Sequence, residues 1–296
     1  MENLRGIMLM TISMAGFALE DMFVKLMAAD LPTGQILLML GVTGAIVFAA
    51  MAAFGGQSVW SRDAWARPVV LRNLGDVVGT FGFVTALALI PIALVSAVLQ
   101  AMPLAVTCGA ALFMGEKVGW RRWSAIVVGF VGVLIVIRPG LEGFRPPALW
   151  VVLSVVALSL RDLATRRIPS AISTMQVGAW AFISVAALGA AMLVHSGGAA
   201  WPTLLQSAYM FGALAFGIAA YWAITSAMRV GEMSVITPFR YSRLIFAIII
   251  GMVVFGERPD ALMLLGSAVI IGSGLYTLSR ERKSRRDALS LAVVAR

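Results

Sequence analysis

The sequence predicts an all-α membrane protein with ten transmembrane helices, arranged as two inverted five-helix repeats with both termini in the cytoplasm. Three observations predict this fold: an apolar composition, ten apolar segments and an internal repeat. Of the 296 residues, 60% are hydrophobic and only 12% are charged, and the mean hydropathy is +0.94. A soluble domain of this length needs far more charge to cover its surface, so a large soluble domain is excluded.

Ten apolar segments are each long enough to cross a bilayer, which takes roughly 20 residues. The connections between them are short and carry Gly, Pro and charged residues. Lipid offers no partner for a backbone N–H or C=O group, so we expect every segment to be a helix. The segments cover residues 5–27, 34–54, 69–89, 92–114, 121–138, 147–167, 174–194, 208–228, 234–255 and 260–279.

A shift of 141 positions aligns the first half of the sequence with the second. Asp21 then falls on Asp162 and Lys25 on Arg166, and the register holds without a gap through the ninth segment. Each half holds five helices, an odd number, so the second half must enter the membrane from the opposite side. Inverted repeats of this kind are typical of secondary transporters, with a site near the bilayer midplane. The predicted domains are residues 1–140 and 141–281, followed by a basic cytoplasmic tail at 282–296.

Lysine and arginine predict the orientation, because cytoplasmic loops are enriched in them. If the N-terminus is cytoplasmic, that side collects most of the basic loop residues, and the other side mainly holds Arg138, Arg145 and Arg258. The cytoplasmic set would be Arg5, Arg62, Arg67, Arg72, Lys117, Arg121, Arg122, Arg166, Arg167, Arg229 and the tail from Arg280. We therefore expect a multi-pass protein of the cell inner membrane in contact with anionic lipid.

Each half carries a Gly-Glu pair before a last, glycine-rich segment. The first copy reads Gly115-Glu116-Lys117 and the second Gly256-Glu257-Arg258. With ten helices, this pattern resembles the drug/metabolite transporter superfamily, specifically exporters with two EamA-type repeats, and among them the amino-acid exporter branch that includes YddG. The resemblance covers almost the whole chain and implies export of amino acids, metabolites or drugs through a central cavity. One departure is that Pro103 in the first copy faces Leu244 in the second, so the kinks of helices four and nine are expected to differ.

Charged residues inside the apolar segments are candidates for function, because each costs roughly 2.5–3.5 kcal/mol on insertion scales. Glu20, Asp21 and Lys25 span about one helical turn, as do Asp162 and Arg166 beside Arg161 in the sixth segment. Local or interhelical ion pairing and contact with substrate or a gate are both open for these two sets. For Glu116 and Glu257, caps of the following helix are favoured over gate or proton sites, because they lie at segment ends.

The predicted substrate site combines charged, polar and aromatic residues. Asp76 with Arg240 and Arg243 would complement the charges of a zwitterion, since guanidinium groups match carboxylates. The alternative for these arginines is an ion pair that locks helices together. Asp76 is also the candidate proton site if transport is proton-coupled. The remaining predicted lining residues are the repeat-related pairs Thr80/Tyr221 and Gln100/Tyr241, with Phe83 and Trp222 as aromatic surface.

Other functional classes lack their residues. The single histidine, His195, is predicted to lie in a loop, and no Walker-type phosphate loop is present, so neither an enzyme nor ATP hydrolysis is expected. No cofactor, metal or nucleic-acid partner is predicted, since the net charge of +9 lies in loops and tail. The predicted function is export of small metabolites, above all amino acids, by alternating access. The alternatives are an exchanger of phosphorylated or nucleotide-linked metabolites and a non-transporting scaffold.

Overall fold

The structure, a computed structural model, describes residues 2–116, 118–169, 171–230 and 233–294, without the side chains of residues 225, 229, 233–234 and 281–294. The predicted loop charge at Lys117 and the side chains of Arg229 and the basic tail lie outside this description. Ten helices in the described chain are long and apolar enough to cross a membrane, and no strand occurs there. They are α1 Glu2–Met27, α2 Thr33–Phe54, α3 Arg67–Leu89, α4 Ile92–Met114, α5 Trp120–Ile137, α6 Ala148–Thr165, α7 Thr174–Ser196, α8 Leu204–Val230, α9 Thr237–Phe255 and α10 Ala261–Val294.

The ten observed helices coincide with the ten predicted segments, with small differences at their ends. His195 is a correction, because it lies in the last turn of α7 rather than in a loop. The helix continues through Ser196 until Gly197 adopts a left-handed conformation, with φ of 88°, which ends it. A 3₁₀ turn, Arg62–Trp65, lies between α2 and α3, and a short helix, Met233–Ile236, precedes α9.

Equivalent helices of the two repeats pack against each other in opposite directions. Gly34 near the start of α2 lies against Met192 near the end of α7, and Gly44, further along α2, lies against the ring of Phe182, earlier in α7. An added Cβ would approach these side chains to 2.7 Å and 2.4 Å, so the absence of side chains lets the helices pack closely. The antiparallel pairing of α2 with α7 means that the two repeats have opposite orientations.

The remaining packing also follows the repeat. α5 packs against its equivalent α10, while α1 packs against α8 and α3 against α6, which are the same contact exchanged between halves. The exchange extends to single residues. A Cβ on Gly16 of α1 would meet the carbonyl oxygen of Phe216, and a Cβ on Gly75 of α3 would meet that of Ala157. Residues 16 and 157, and residues 75 and 216, are related by the same shift of 141, so the two halves are arranged about a pseudo-twofold axis.

Helices α4 and α9 are interrupted at equivalent positions. α4 breaks after Leu99 and resumes at Met102, whereas α9 begins as a 3₁₀ turn, Thr237–Tyr241, and becomes α-helical at Ser242. The local geometry differs between halves, as the sequence predicted, but the position does not. Pro103 follows the first break and Pro238 lies within the second, and each removes a backbone donor near the interruption.

Candidate functional site

A four-residue ion cluster joins α3 to α6. The Arg161 guanidinium donates to Asp76 at 2.9 Å and to Asp162 at 2.8 Å. Arg72 approaches the other Asp76 oxygen at 3.4 Å. Both oxygens of Asp76 are therefore engaged by guanidinium groups, so Asp76 holds Arg161 and Arg72 in place. Its neighbour Thr80 lies one turn further along the same face of α3.

A second ion pair joins α1 to α9. Arg243 donates to Asp21 Oδ2 from Nη2 at 2.6 Å and from Nε at 3.2 Å. Its guanidinium also lies 5.5 Å from the ring centroid of Phe17 and 5.8 Å from that of Phe83, within the range of cation–π attraction. Phe83, predicted to line the site, thus contacts a charged residue of it. For Arg243 the helix-locking alternative is the arrangement present here.

The sequence left local and interhelical pairing open, and the pairs formed by Asp21 and Arg166 are interhelical. Asp21 pairs with Arg243 rather than with Lys25, and Arg166 pairs with Glu116 rather than with Asp162. Local pairing was plausible because residues one turn apart are neighbours on a helix. Spacing along one helix carries no information about which charges a neighbouring helix presents, and in lipid those charges are the partners that remove the cost of burial.

Arg240 and Glu20 lie at the two ion clusters without joining either. The side chain of Arg240 is exposed and lies within electrostatic range of Arg161, Asp162 and Arg243. Glu20 is half-buried, and its carboxylate lies against Gly217 of α8, where an added Cβ would come within 2.9 Å of it. Arg243 is within electrostatic range of Glu20 as well. The α3–α6 cluster and the α1–α9 pair therefore belong to one polar region, which we call the charged belt.

Gln100 and Tyr241 meet at the pseudo-twofold axis. Gln100 Nε2 donates to the backbone oxygen of Tyr241 at 3.0 Å, and these two residues are equivalent in the repeat. The ring of Tyr241 is buried and its hydroxyl lies against Gly274 of α10, and its role in the site stays a prediction. That hydroxyl is enclosed, and Arg240 of the charged belt lies within electrostatic range of it. The repeat register located the residue but carried no information about which way its ring turns.

Tyr221 and Trp222 are adjacent in α8 but face different surroundings. Tyr221 packs edge-on against Phe48 and lies within electrostatic range of Arg72, so it borders the charged belt. Trp222 is 66% exposed and lies at helical spacing from Phe211 and Ile218, which are also exposed. This apolar stripe is typical of a lipid-facing surface, and Trp222 as a site aromatic stays a prediction.

Lys25 and Glu257 clamp the turn between α3 and α4. Lys25 Nζ donates to the carbonyl oxygens of Leu87 at 3.0 Å and Ile90 at 2.5 Å, and lies 3.9 Å from Glu257. Glu257 accepts hydrogen bonds from the backbone N–H groups of Ile92 at 2.8 Å and Ala93 at 3.2 Å. Glu257 is thus a helix cap, but of α4 in the other repeat rather than of the following helix. Asp260 caps α10 instead, accepting from Met263 N–H at 2.8 Å.

Arg166 and Glu116 form the equivalent pair at the opposite end of the bundle. Their side chains approach to 3.2 Å, but they are 50% and 46% exposed, against 14% and 10% for Lys25 and Glu257. Within the described chain, the Glu116 carboxylate bonds to Arg166 alone, so the predicted cap of the following helix is not formed. The two equivalent pairs therefore differ in burial and in their contacts at the two ends of the molecule.

The family model and the curated relatives that match this chain are all described as transporters. The model of the family described as "EamA-like transporter family" matches residues 4–138 and again residues 145–279. The chain is 24% identical over 283 residues to the S-adenosylmethionine uptake transporter of Rickettsia bellii, covering 94% of this chain and 95% of the relative. It is 31% identical over 225 residues to the riboflavin transporter of Vibrio cholerae, covering 74% of each. A solved structure titled "Crystal structure of protein" superposes with a TM-score of 0.60 at 21% identity, covering 92% of this chain and 98% of that one.

Proposed function

Because the chain belongs to the EamA-like transporter family and is therefore a membrane transporter, we propose that it carries a small zwitterionic metabolite, an amino acid or a derivative of one, across the inner membrane by alternating access. The observation that carries this proposal is the charged belt. It brings acidic and basic side chains from α1, α3, α6 and α9 into one region of the bundle. Such a region complements a substrate that carries both signs of charge.

The opposite orientation of the two repeats supports alternating access. Two similar units of opposite orientation can exchange conformations, which converts a shape open at one end into a shape open at the other around a site between them. Two ion pairs of the charged belt, Arg161–Asp76 and Arg243–Asp21, join the first repeat to the second, which supports a site between the units. In such a carrier without coupling, the substrate gradient sets the net direction, which accommodates export as well as uptake.

Substrate chemistry is the point at which relatives differ. S-adenosylmethionine carries an amino-acid zwitterion and a further cationic sulfonium, and transport of such an amino-acid derivative fits a belt of mixed charge. Riboflavin is the substrate in the name of the other relative, so the uptake experiment below includes it as a competing candidate substrate. The phosphorylated-metabolite alternative is disfavoured, because it calls for uncompensated paired cations, whereas Asp76 and Asp162 balance Arg161 and Arg72 here.

The test is uptake by purified protein in proteoliposomes, with labelled L-amino acids, S-adenosylmethionine, riboflavin and a sugar phosphate. We expect saturable uptake of at least one amino acid or amino-acid derivative and exchange with unlabelled substrate inside. Empty liposomes and liposomes with the variant Glu142→Gln, an exposed loop residue, are the controls. Uptake of riboflavin or sugar phosphate alone would refute the proposed substrate class, and uptake of nothing in the panel would refute the proposal as a whole.

A further inference from the structure

Glu20 and Arg240 are the two charges of the charged belt that no other side chain neutralises. Within the described chain, neither charged group has a hydrogen bond or an ion pair. The other charges of the belt are engaged and balance in sign: Asp21 with Arg243, and Arg72 and Arg161 with Asp76 and Asp162. An acidic and a basic side chain thus remain within the spans of α1 and α9, where unpaired charge is expensive.

The repeat explains why Glu20 lacks a partner. The shift of 141 relates Glu20 to Arg161 and Gly217 to Asp76. In one half Arg161 and Asp76 form an ion pair at 2.9 Å. In the other half the equivalent positions hold a carboxylate and a glycine, and the Glu20 carboxylate lies against Gly217. Gly217 has no side chain, so the position where a cationic partner for Glu20 would lie holds only backbone.

We propose that Glu20 binds the cationic group of the substrate, an ammonium or a sulfonium, while Arg240 binds its carboxylate. This assignment rests on the proposed function and makes it more specific. The turn Thr237–Tyr241, which holds Arg240, packs against α1. Arg243, one turn beyond Arg240, pairs with Asp21, the residue next to Glu20. A zwitterion bound between them neutralises both, and it enters without breaking any ion pair that holds the helices together.

A series of methionine derivatives tests this assignment, since the charge of each end is changed separately. Uptake of L-methionine, N-acetyl-L-methionine and L-methioninamide is measured for the wild type, Glu20→Gln and Arg240→Gln. Glu20→Gln should lower the uptake of methionine and methioninamide by about tenfold or more, with N-acetylmethionine much less affected. Arg240→Gln should give the converse selectivity, and Glu20→Asp, which keeps the charge, should keep the wild-type order of preference.

Two contrary results have different meanings. If the wild type takes up methionine but Glu20→Gln lowers uptake of all three compounds equally, Glu20 has a structural role and this inference is wrong while the proposed function stands. If the wild type takes up none of the three and no other amino-acid derivative, the proposed function fails and the assignment of Glu20 fails with it.

The ion pairs at the two ends of the bundle carry a second, independent inference. Lys25 is equivalent to Arg166, and Glu257 is equivalent to Glu116, yet the first pair is buried and the second is about half exposed. Glu257 also binds the N-terminus of α4, and the equivalent backbone N–H groups for Glu116 are those of Met233 and Ser234. We infer that the two pairs are alternating latches: Lys25–Glu257 closes one end of the carrier here, and Arg166–Glu116 closes the other end in the opposite state.

Removal of each latch should shift the carrier in opposite directions. The single cysteine of the chain, Cys108, is first replaced by alanine. Spin labels at Leu89→Cys and Arg258→Cys then report the separation of the helices at the end of the bundle that holds Lys25 and Glu257. Glu257→Gln should lengthen this distance, because it weakens both the pair with Lys25 and the cap of α4, which stabilise the state closed at that end. Glu116→Gln should leave this distance unchanged or shift it to shorter values, because this variant weakens only the opposite state. Glu142→Gln, in an exposed loop at the same end, is the matched control.

A shift in the same direction for both variants, or no shift for either, would overturn the latch inference. Lys25→Met breaks the same latch from its basic side and should reproduce the effect of Glu257→Gln. This second variant keeps the test decisive if Glu257→Gln does not fold.

Discussion

At the residue scale, most charged side chains that the structure describes within the spans take part in ion pairs, and several of these pairs join two helices. Asp76 contacts both Arg161 and Arg72, and Asp21 contacts Arg243. Burial of a charge in lipid is tolerated when a partner of opposite charge removes most of the desolvation cost. The exceptions, Glu20 and Arg240, are therefore the residues where a substrate's own charges can act as partner.

Asp76→Asn should destabilise the protein, because it leaves two guanidinium groups without their carboxylate. We expect a loss of about 2–3 kcal/mol, the range for removing one partner from a buried charged hydrogen bond, seen as a lower unfolding temperature in detergent. The double variant Asp76→Asn/Arg72→Gln should recover part of the loss, since one unpaired cation is removed. Equal stability of wild type and Asp76→Asn would show that the cluster does not hold α3 to α6.

At the element scale, glycines decide how closely equivalent helices approach. In the α2–α7 pair, a Cβ on Gly41 would lie 2.5 Å from the backbone nitrogen of Ala186. Backbone cannot give way as the end of a flexible side chain can, so this contact requires glycine on one side. The helices that carry the charged belt are held in register by such contacts, since Gly75 and Gly79 fit α3 against α6 in the same manner.

Gly41→Ala should separate α2 from α7 and lower stability, whereas Gly272→Ala in α10 should not. The two variants are chemically identical and both sites are helical, but no atom lies within 4 Å of a Cβ on Gly272. We expect Gly272→Ala to be neutral or slightly stabilising, since alanine is the better helix former by about 1 kcal/mol. Folded yield and unfolding temperature measure both variants, and equal losses would contradict close packing at Gly41.

At the scale of the whole molecule, two ion pairs of the belt and both helix-end pairs cross between the two repeats. Arg161 of the second repeat holds Asp76 of the first, and Glu257 of the second caps α4 of the first. Coupling of this kind makes the orientation of the halves a requirement of the mechanism. It also makes that orientation open to a direct test.

Labelling of single cysteines with a membrane-impermeant reagent should place Ala29→Cys and Leu141→Cys on the same face and Trp60→Cys on the other, in a Cys108→Ala background. All three positions are exposed. With a cytoplasmic N-terminus, intact spheroplasts should label the first two and protect the third until the membrane is opened. Labelling of Ala29→Cys and Leu141→Cys from opposite faces would refute the inverted arrangement.

The sequence by itself determined the class of protein, the number of helices and the repeat. Composition and apolar runs are sufficient for this, because a bilayer accepts only long apolar helices whose backbone groups bond internally. The shift of 141 did not predict the two helix-end pairs, but it even related Gln100 to Tyr241, which meet at the axis. These features depend on local composition and register, which the chain carries residue by residue.

Only the tertiary structure decided which charges pair, which rings face the site and which charges remain unpaired. The sequence assigned Asp76, Arg240 and Arg243 to the substrate together. In the fold, Asp76 and Arg243 bind other side chains. In the described chain, Arg240 and Glu20 are each without an ion pair. The fold also leaves Trp222 exposed and turns the Tyr241 hydroxyl towards Gly274. A partner on another helix depends on the rotation and depth of both helices, and these are set by packing of the whole bundle rather than by spacing along one of them.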